Sequence, residues 1–449
     1  MGLIFYKGML SRNGYLTLSV PEIKRELTVR AIENAIGFQP ASFKVFRVTT
    51  DGGLLVPRYY GLEKFGPITK DSRVACVSCP RINFVGKLRK ATRQDEAIEN
   101  GVRAFEKGGG VLSLPCGFGK TTCALALSAH LKVRTMIVVH KEFLANQWIE
   151  KIKEFCPEAT IGRVQGGIFD IEKDFVIALI QTMCQREFEK KAFDSVGLLI
   201  VDEAHHIGAP AFSQFMFKIC PRWTLGLTAT PERKDGLTRL LYWFLGPEFF
   251  RVERVNQAST RVKTIKYTDD AFKDGPPLTR FGKINMAGMT TILTELDSRN
   301  DLIVCEVLGA VSEGRRVLVL SDRREHCFNL QTKFGSKSGL YIGGMKESEL
   351  AESAQRPIVL ATFQLAHEGL DIPILDTVVL ATPKSDIKQS IGRIMRETHG
   401  KKNNPLIIDI ADQWSVFFSM YSKRLSIYRD GGFECDAPPD KKGVCLISL

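Results

Sequence analysis

Leu114-Pro115-Cys116-Gly117-Phe118-Gly119-Lys120-Thr121-Thr122 is the stretch on which the fold turns. The uncharged run before it, Gly110-Val111-Leu112-Ser113-Leu114, reads as a buried strand, and Thr122-Cys123-Ala124-Leu125-Ala126-Leu127 reads as the start of a helix. Glycines between them let backbone N–H groups converge on a phosphate, and the helix aims the positive end of its dipole at the same point. In this reading Gly117 and Gly119 shape the cradle, Lys120 reaches the β- and γ-phosphates, and the Thr121 hydroxyl is offered to Mg²⁺. Leu114 stands where the P-loop pattern has its first glycine, so the match is incomplete. The competing reading is a strand-to-helix turn with a chance lysine.

Working outward, strands and helices alternate from about residue 89 to 247, the signature of an open parallel sheet. Met136-Ile137-Val138-Val139, Phe175-Val176-Ile177-Ala178-Leu179-Ile180 and Val196-Gly197-Leu198-Leu199-Ile200-Val201 read as strands, with a helix through Phe143 to Trp148. The last of these strands ends in Asp202-Glu203-Ala204-His205. Ligands in such sheets bind beyond the carboxyl ends of strands. Asp202 there can hold Mg²⁺, and Glu203 can orient or deprotonate the water that attacks a γ-phosphate. Without the phosphate loop upstream, the same pair would read as a helix N-cap with a first-turn acid. The strand Trp223 to Leu227 then leads into Thr228-Ala229-Thr230-Pro231, whose small hydroxyl residues can hydrogen-bond the acidic pair.

A second alternating segment follows a weakly periodic connector, with strands at Val317 to Leu320, Pro357 to Leu360, Thr377 to Leu380 and Leu406 to Ile408. It contains no second phosphate loop. It does contain the stretch Ala361 to Pro373, with Gly369-Leu370-Asp371, and the stretch Gln389-Ser390-Ile391-Gly392-Arg393-Ile394-Met395-Arg396. Arg393 and Arg396 are three apart on a helix and so share a face. Two fixed charges aimed together suit a triphosphate; paired surface arginines are the plainer alternative.

At 449 residues the chain exceeds one core, so several domains are expected. The formal charge of +12 favours a polyanionic partner, nucleic acid first and an acidic membrane surface second. No apolar run is long enough to span a bilayer, and the N-terminus lacks a signal-peptide layout. A cytoplasmic or nuclear protein is expected, not a secreted one. The cysteines are scattered, several within apolar runs, so disulfides are not expected. Cys76-Val77-Ser78-Cys79 has half the spacing of a zinc site without its other half, and reads as a pair of thiols.

Residues 1–88 carry 13 Lys/Arg against 6 Asp/Glu, a net +7 in about a fifth of the chain. Phe43 to Val48 and Gly53 to Pro57, separated by Asp51-Gly52, suggest a hairpin in a small mixed domain. The basic and aromatic residues around Arg58, Tyr59 and Tyr60 suit backbone pairing and base stacking, unless the aromatics are core.

Together these stretches resemble superfamily 2 helicases and translocases, over roughly residues 89–412. Leu114 to Thr122 matches their motif I, Asp202 to His205 motif II, Thr228-Ala229-Thr230 motif III, Gly369-Leu370-Asp371 the end of motif V, and Gln389 to Arg396 motif VI. The style of motifs I and III is similar to the XPB, UvsW and type III restriction group, and to helicases of phages and large DNA viruses such as the poxviral transcript-release helicase. The resemblance implies an α/β fold of two RecA-like parallel-sheet lobes, here preceded by a small mixed α+β domain, with ATP and Mg²⁺ as cofactors. It implies that Gln94 reads adenine, that Gly117, Gly119, Lys120 and Thr121 bind phosphates, that Asp202 binds Mg²⁺ and that Glu203 is the general base. It also implies that Gly369 and Asp371 face the nucleotide and that Arg393 and Arg396 act as arginine fingers.

The expected layout is an N-terminal nucleic-acid-engaging domain at 1–88, an ATP-binding lobe at 89–247, a connector at 248–295, a second lobe at 296–412 and a C-terminal extension at 413–449. The expected function is an ATP-dependent DNA helicase or duplex translocase, acting on duplex or branched DNA. A DEAH-type RNA helicase and an ATP-gated binding module that does not unwind are the alternatives. A viral origin would add the virion or a viral factory as locations.

Overall fold

The computed structural model describes residues 4–6, 20–30, 42–48, 53–68, 71, 73–115, 117–189, 191–206, 209–229, 236–252, 260–368, 372–394 and 403–436. The chain forms two compact units, Met1–Glu253 and Arg254–Leu449.

The first unit is built on an eight-stranded sheet. From one edge to the other its strands are Glu248–Arg251, Gly109–Ser113, Trp223–Thr228, Leu198–Val201, Thr135–Val139, Phe175–Leu179, Ile161–Gln165 and Ile168–Phe169. All neighbours are parallel except the last pair, a hairpin turned at Gly166 and Gly167. Gly109–Ser113, Thr135–Val139 and Leu198–Val201 are buried along their whole length. Strands covered on both faces by crossover helices have no solvent side to mark with polar residues, which is why they read as unbroken apolar runs.

The residues before 89 are not a free-standing domain. Ile23, Leu27, Val29, Val45, Leu54, Val56 and Tyr60 share one apolar core with Val111, Met136, Val138 and Val176 of the large sheet. A hairpin does form between Arg47–Val48 and Leu54–Val56. The strand expected over 43–48 is broken, however, because Phe43–Lys44 pairs instead with Thr28–Val29. The turn residues Asp51 and Gly52 lie outside the described residues.

The basic-aromatic segment is a correction to the sequence reading. Arg58–Phe65 is a helix. Arg58 is buried and donates to the carbonyls of Pro221 and Arg222. Tyr60 is fully buried with its hydroxyl donating to Glu26 at 3.0 Å, and Tyr59 Oη lies 3.1 Å from Thr224 Oγ1. These side chains dock the N-terminal segment on the sheet and are not presented to bases. Farther on, Arg81 grips Asp174 through two bonds of 3.0 and 3.2 Å. Cys79 and Ile82 lie in the core with Trp148 and Ile152, where burial pushes the Cys79 thiol up to about 11.

The second unit is a seven-stranded sheet of wholly parallel neighbours, ordered Ser338–Tyr341, Ile358–Thr362, Val317–Ser321, Thr377–Leu380, Leu406–Asp412, Arg261–Tyr267 and Glu434–Cys435. The stretch read as a connector is therefore partly sheet. Glu248–Arg251 edges the first sheet, Arg261–Tyr267 belongs to the second, and Met286–Glu295 is a helix. The C-terminal helix Val416–Asp430 is equally integral. Its buried Arg424 forms a fork with Asp409, two bonds of 2.8 Å, and Tyr428 donates to the same carboxylate at 2.6 Å. Charges this deep persist only when paired and hydrogen-bonded, which the fork achieves.

No helix among the described residues is long and apolar enough to cross a membrane.

Candidate active site

The strand Gly109–Ser113 delivers the chain into the glycine turn, and the helix Lys120–Leu131 leaves it. Gly117 and Gly119 take φ of 85° and 86°, the left-handed region that side chains resist. A Cβ on Gly119 would also collide with the Gln94 amide, which is itself held by Arg89 and Phe118. Cys116 lies outside the described residues.

Gln94, expected to read adenine, holds the loop in this structure. It is fully buried at the start of the helix Gln94–Glu106. Its Oε1 accepts from the Arg89 N–H at 2.8 Å, and its Nε2 donates to the Phe118 carbonyl at 2.9 Å. Arg89 adds a second brace, donating from Nη2 to the Gly117 carbonyl at 2.9 Å. Pinned from behind in this way, the loop's carbonyls are held by Gln94 and Arg89.

The acidic pair leaves the strand Leu198–Val201, two places along the sheet from the phosphate-loop strand and separated from it by Trp223–Thr228. Lys120 Nζ lies 3.4 Å from Glu203 Oε1 and donates to the Leu114 carbonyl at 3.3 Å. One ammonium thus links the loop to the carboxylate expected to handle water. Glu203 adopts φ of 44°, a left-handed conformation that strains a residue with a side chain by about 1–3 kcal/mol. Asp202 is buried, accepts from Trp148 Nε1–H at 2.8 Å and from the Glu203 N–H at 2.9 Å. Burial, and then the neighbouring Glu203 carboxylate, push Asp202 above the usual carboxylate range.

The donor set fits a hard divalent cation. Thr121 at the helix start and Asp202 at the strand tip offer oxygen donors of the kind Mg²⁺ prefers. A carboxylate whose affinity for protons is raised by burial and by a neighbouring carboxylate is one whose charge a cation would offset. Bound there, the metal would neutralise charge on the phosphate oxygens.

The hydroxyl expected to touch the acidic pair acts one step removed. Thr228 Oγ1 is 2.8 Å from His205 Nδ1, and that nitrogen is 3.5 Å from Glu203 Oε2. The same imidazole nitrogen thus sits beside both the strand end and the carboxylate. Thr230 lies outside the described residues.

In the second unit the helix Lys388–Ile394 carries Arg393. Ser390, Ile391 and Ile394 of that helix are buried. The loop leading into it is clamped by two buried arginines. Arg299, itself paired with Asp412, donates to the Ala381 carbonyl at 2.7 Å, and Arg424 donates to the Lys384 carbonyl at 2.8 Å. Gly369, Asp371 and Arg396 lie outside the described residues, as does the side chain of Arg393.

Sequence reasoning missed Trp148, Arg89, Arg299 and Arg424. Trp148→Phe tests the first of these, because it keeps a buried ring but removes the N–H that orients Asp202. A donor lost from a buried charged partner is worth about 1–3 kcal/mol. The metal concentration for half-maximal ATP hydrolysis should rise by roughly tenfold, on the same scale. An unchanged metal requirement would show that Trp148 only packs.

Two family models match the chain: "Type III restriction enzyme, res subunit" over residues 87–233 and "Helicase conserved C-terminal domain" over residues 299–398. A protein of Acanthamoeba polyphaga mimivirus, by name an ATP-dependent RNA helicase, is 32% identical over 94% of this chain and 85% of its own length. A protein of Invertebrate iridescent virus 6, by name a helicase, is 28% identical over 72% of this chain and 76% of its own. The crystal structure of T4 UvsW covers 97% of this chain and 98% of its own at 16% identity, with a TM-score of 0.36 that adds no weight to the assignment.

Proposed function

This chain belongs to the superfamily 2 helicases of the phage and viral type, and from that premise we propose that it couples ATP hydrolysis to movement along duplex or branched DNA. It is an ATP-dependent nucleic-acid helicase. The observation that carries the hydrolytic reading is the Lys120–Glu203 pair at 3.4 Å, which joins the phosphate loop to the acidic strand end within one sheet.

In the mechanism we propose, the turn's N–H groups and Lys120 bind the β- and γ-phosphates, while Thr121 and Asp202 hold Mg²⁺. Glu203 positions the attacking water and takes its proton. To Gly369 and Asp371 we assign contact with the nucleotide, and to Arg393 and Arg396 the offsetting of charge as it develops. Gln94 meets the adenine only with whatever capacity its amide retains beyond Arg89 and Phe118.

DNA is favoured by the match to a restriction-enzyme subunit over residues 87–233. The mimivirus relative's name favours RNA, which makes an RNA helicase the second reading. ATP turnover against single-stranded, duplex and branched DNA and against RNA decides between them, with Lys120→Ala as the blank. Losing one preorganised phosphate donor should lower turnover by ~10²–10³ on every substrate. Stimulation by RNA alone would overturn the DNA reading, and a fully active Lys120→Ala would overturn the site. Strand displacement measured beside triplex displacement separates unwinding from translocation.

A further inference from the structure

Between the strand Arg261–Tyr267 and the helix Met286–Glu295 the second unit carries a small hairpin that none of the nucleotide motifs includes. Leu278 and Ile284 pair as an antiparallel bridge, and the Thr279 N–H donates to the Lys283 carbonyl at 2.7 Å. The Gly282 N–H donates to the Thr279 carbonyl at 2.9 Å, with Gly282 turning the tip at φ of 72°. The hairpin stands on a firm base. Asn285 caps the following helix by accepting from the Gly288 N–H at 3.0 Å, while its own N–H donates to the Pro277 carbonyl at 2.7 Å. That helix packs Met289 and Leu293 against Trp414 and Phe417, and Phe272 stacks on Trp414 with ring centroids 4.8 Å apart and planes 7° from parallel.

At the tip, Phe281 is 74% exposed, more than any other large hydrophobic side chain among the described residues. The Arg280 guanidinium lies 4.7 Å from the centre of its ring. Leu278 and Ile284 are exposed as well. From Pro276 to Asn285 the only charged residues are Arg280 and Lys283, both cationic. Leu278 and Ile284 would suit an apolar partner, but at the tip itself the ring is flanked by cations and not by further apolar side chains. An aromatic ring held in water with cations beside it matches a single strand instead, where a base covers the ring and the phosphates meet the cations.

We propose that Phe281 stacks on a base of single-stranded nucleic acid, with Arg280 and Lys283 contacting the adjoining phosphates. The inference rests on the helicase reading and assigns that activity a contact outside every nucleotide-binding motif. It is tested with the full chain on an oligonucleotide carrying 2-aminopurine, whose fluorescence falls on stacking. Phe281→Ala should bind the single strand roughly tenfold more weakly and lose the quench, the scale of one base–aromatic stack. Phe281→Trp should restore both and Phe281→Leu neither, while ATP turnover without nucleic acid stays at the wild-type level in all three. Arg280→Ala should flatten the log–log salt dependence by about 0.7, the value for one phosphate on a single strand. Wild-type affinity and quench in Phe281→Ala would overturn the proposal. So would rescue by leucine, which would make the tip an apolar contact for protein. If the wild-type chain neither binds nor is stimulated by any nucleic acid, the helicase reading itself fails. Stimulated wild-type turnover with an indifferent Phe281→Ala defeats the hairpin contact alone.

Discussion

Glu203→Gln should bind ATP and fail to cleave it. The amide keeps the size of the side chain, so packing beside Lys120 and His205 is retained, but it cannot accept a proton from water. Positioned general bases are typically worth 10²–10⁴ in rate, and single-turnover hydrolysis should fall by about that much. Binding should hold or tighten. Removing one of two adjacent carboxylates frees Lys120 from its 3.4 Å partner and relieves the repulsion that adds to burial in raising Asp202, so the site loses negative charge just where a triphosphate arrives. The left-handed backbone at Glu203 supports the same view, since strain of this kind persists where the surrounding structure fixes a side chain for use. Equilibrium binding of a fluorescent nucleotide, measured beside turnover, separates the two effects. A variant that hydrolyses ATP at the wild-type rate would move the base to another residue, with His205, whose Nδ1 lies 3.5 Å from Glu203 Oε2, the next to test.

What the sequence made legible follows from burial. Strands covered on both faces, such as Thr135–Val139 and Val317–Ser321, must be apolar throughout and so announce themselves. Strands at or near the sheet edges do not. Ile161–Gln165 alternates half-buried with buried positions and drew no strand assignment, and Arg261–Tyr267 carries Arg261, Lys263 and Lys266 on its less buried positions, which placed it within the connector. The same limit applied to aromatics beside cations. Arg58, Tyr59 and Tyr60 look like a nucleic-acid contact when only composition is visible, yet the hydrogen bonds to the carbonyls of Pro221 and Arg222 and to Glu26 are made across distances of the chain that no local pattern encodes. One practical consequence is that cutting at residue 88 would remove part of the first unit's own core, so the basic N-terminal segment is better probed by point substitution. Motif residues with local spacing, Gly117 through Thr121 and Asp202 with Glu203, were readable because a phosphate loop and a strand-end acid are built from consecutive residues. Trp148, which is 54 positions from the carboxylate it orients, was not.

Arg393→Ala should lose the largest share of turnover while leaving ATP binding nearly intact. Arg393 stands on the helix Lys388–Ile394, whose apolar side is anchored by Ile391 and Ile394 and whose leading loop is fixed by Arg299 and Arg424 through the Ala381 and Lys384 carbonyls. Two fully buried ion pairs devoted to one loop make a rigid support, as a charge that acts on a transition state requires. An arginine finger is worth ~10³–10⁵ in rate because it meets charge that is greater in the transition state than in bound ATP. The same logic predicts little change in ground-state affinity, which separates this variant from Lys120→Ala, where binding and turnover fall together. Arg393→Lys should recover little, since a point ammonium lacks the planar fork. Turnover lowered only about twofold in Arg393→Ala, far short of a finger's contribution, would return this arginine to the role of a surface charge and leave Arg396 as the residue to test next.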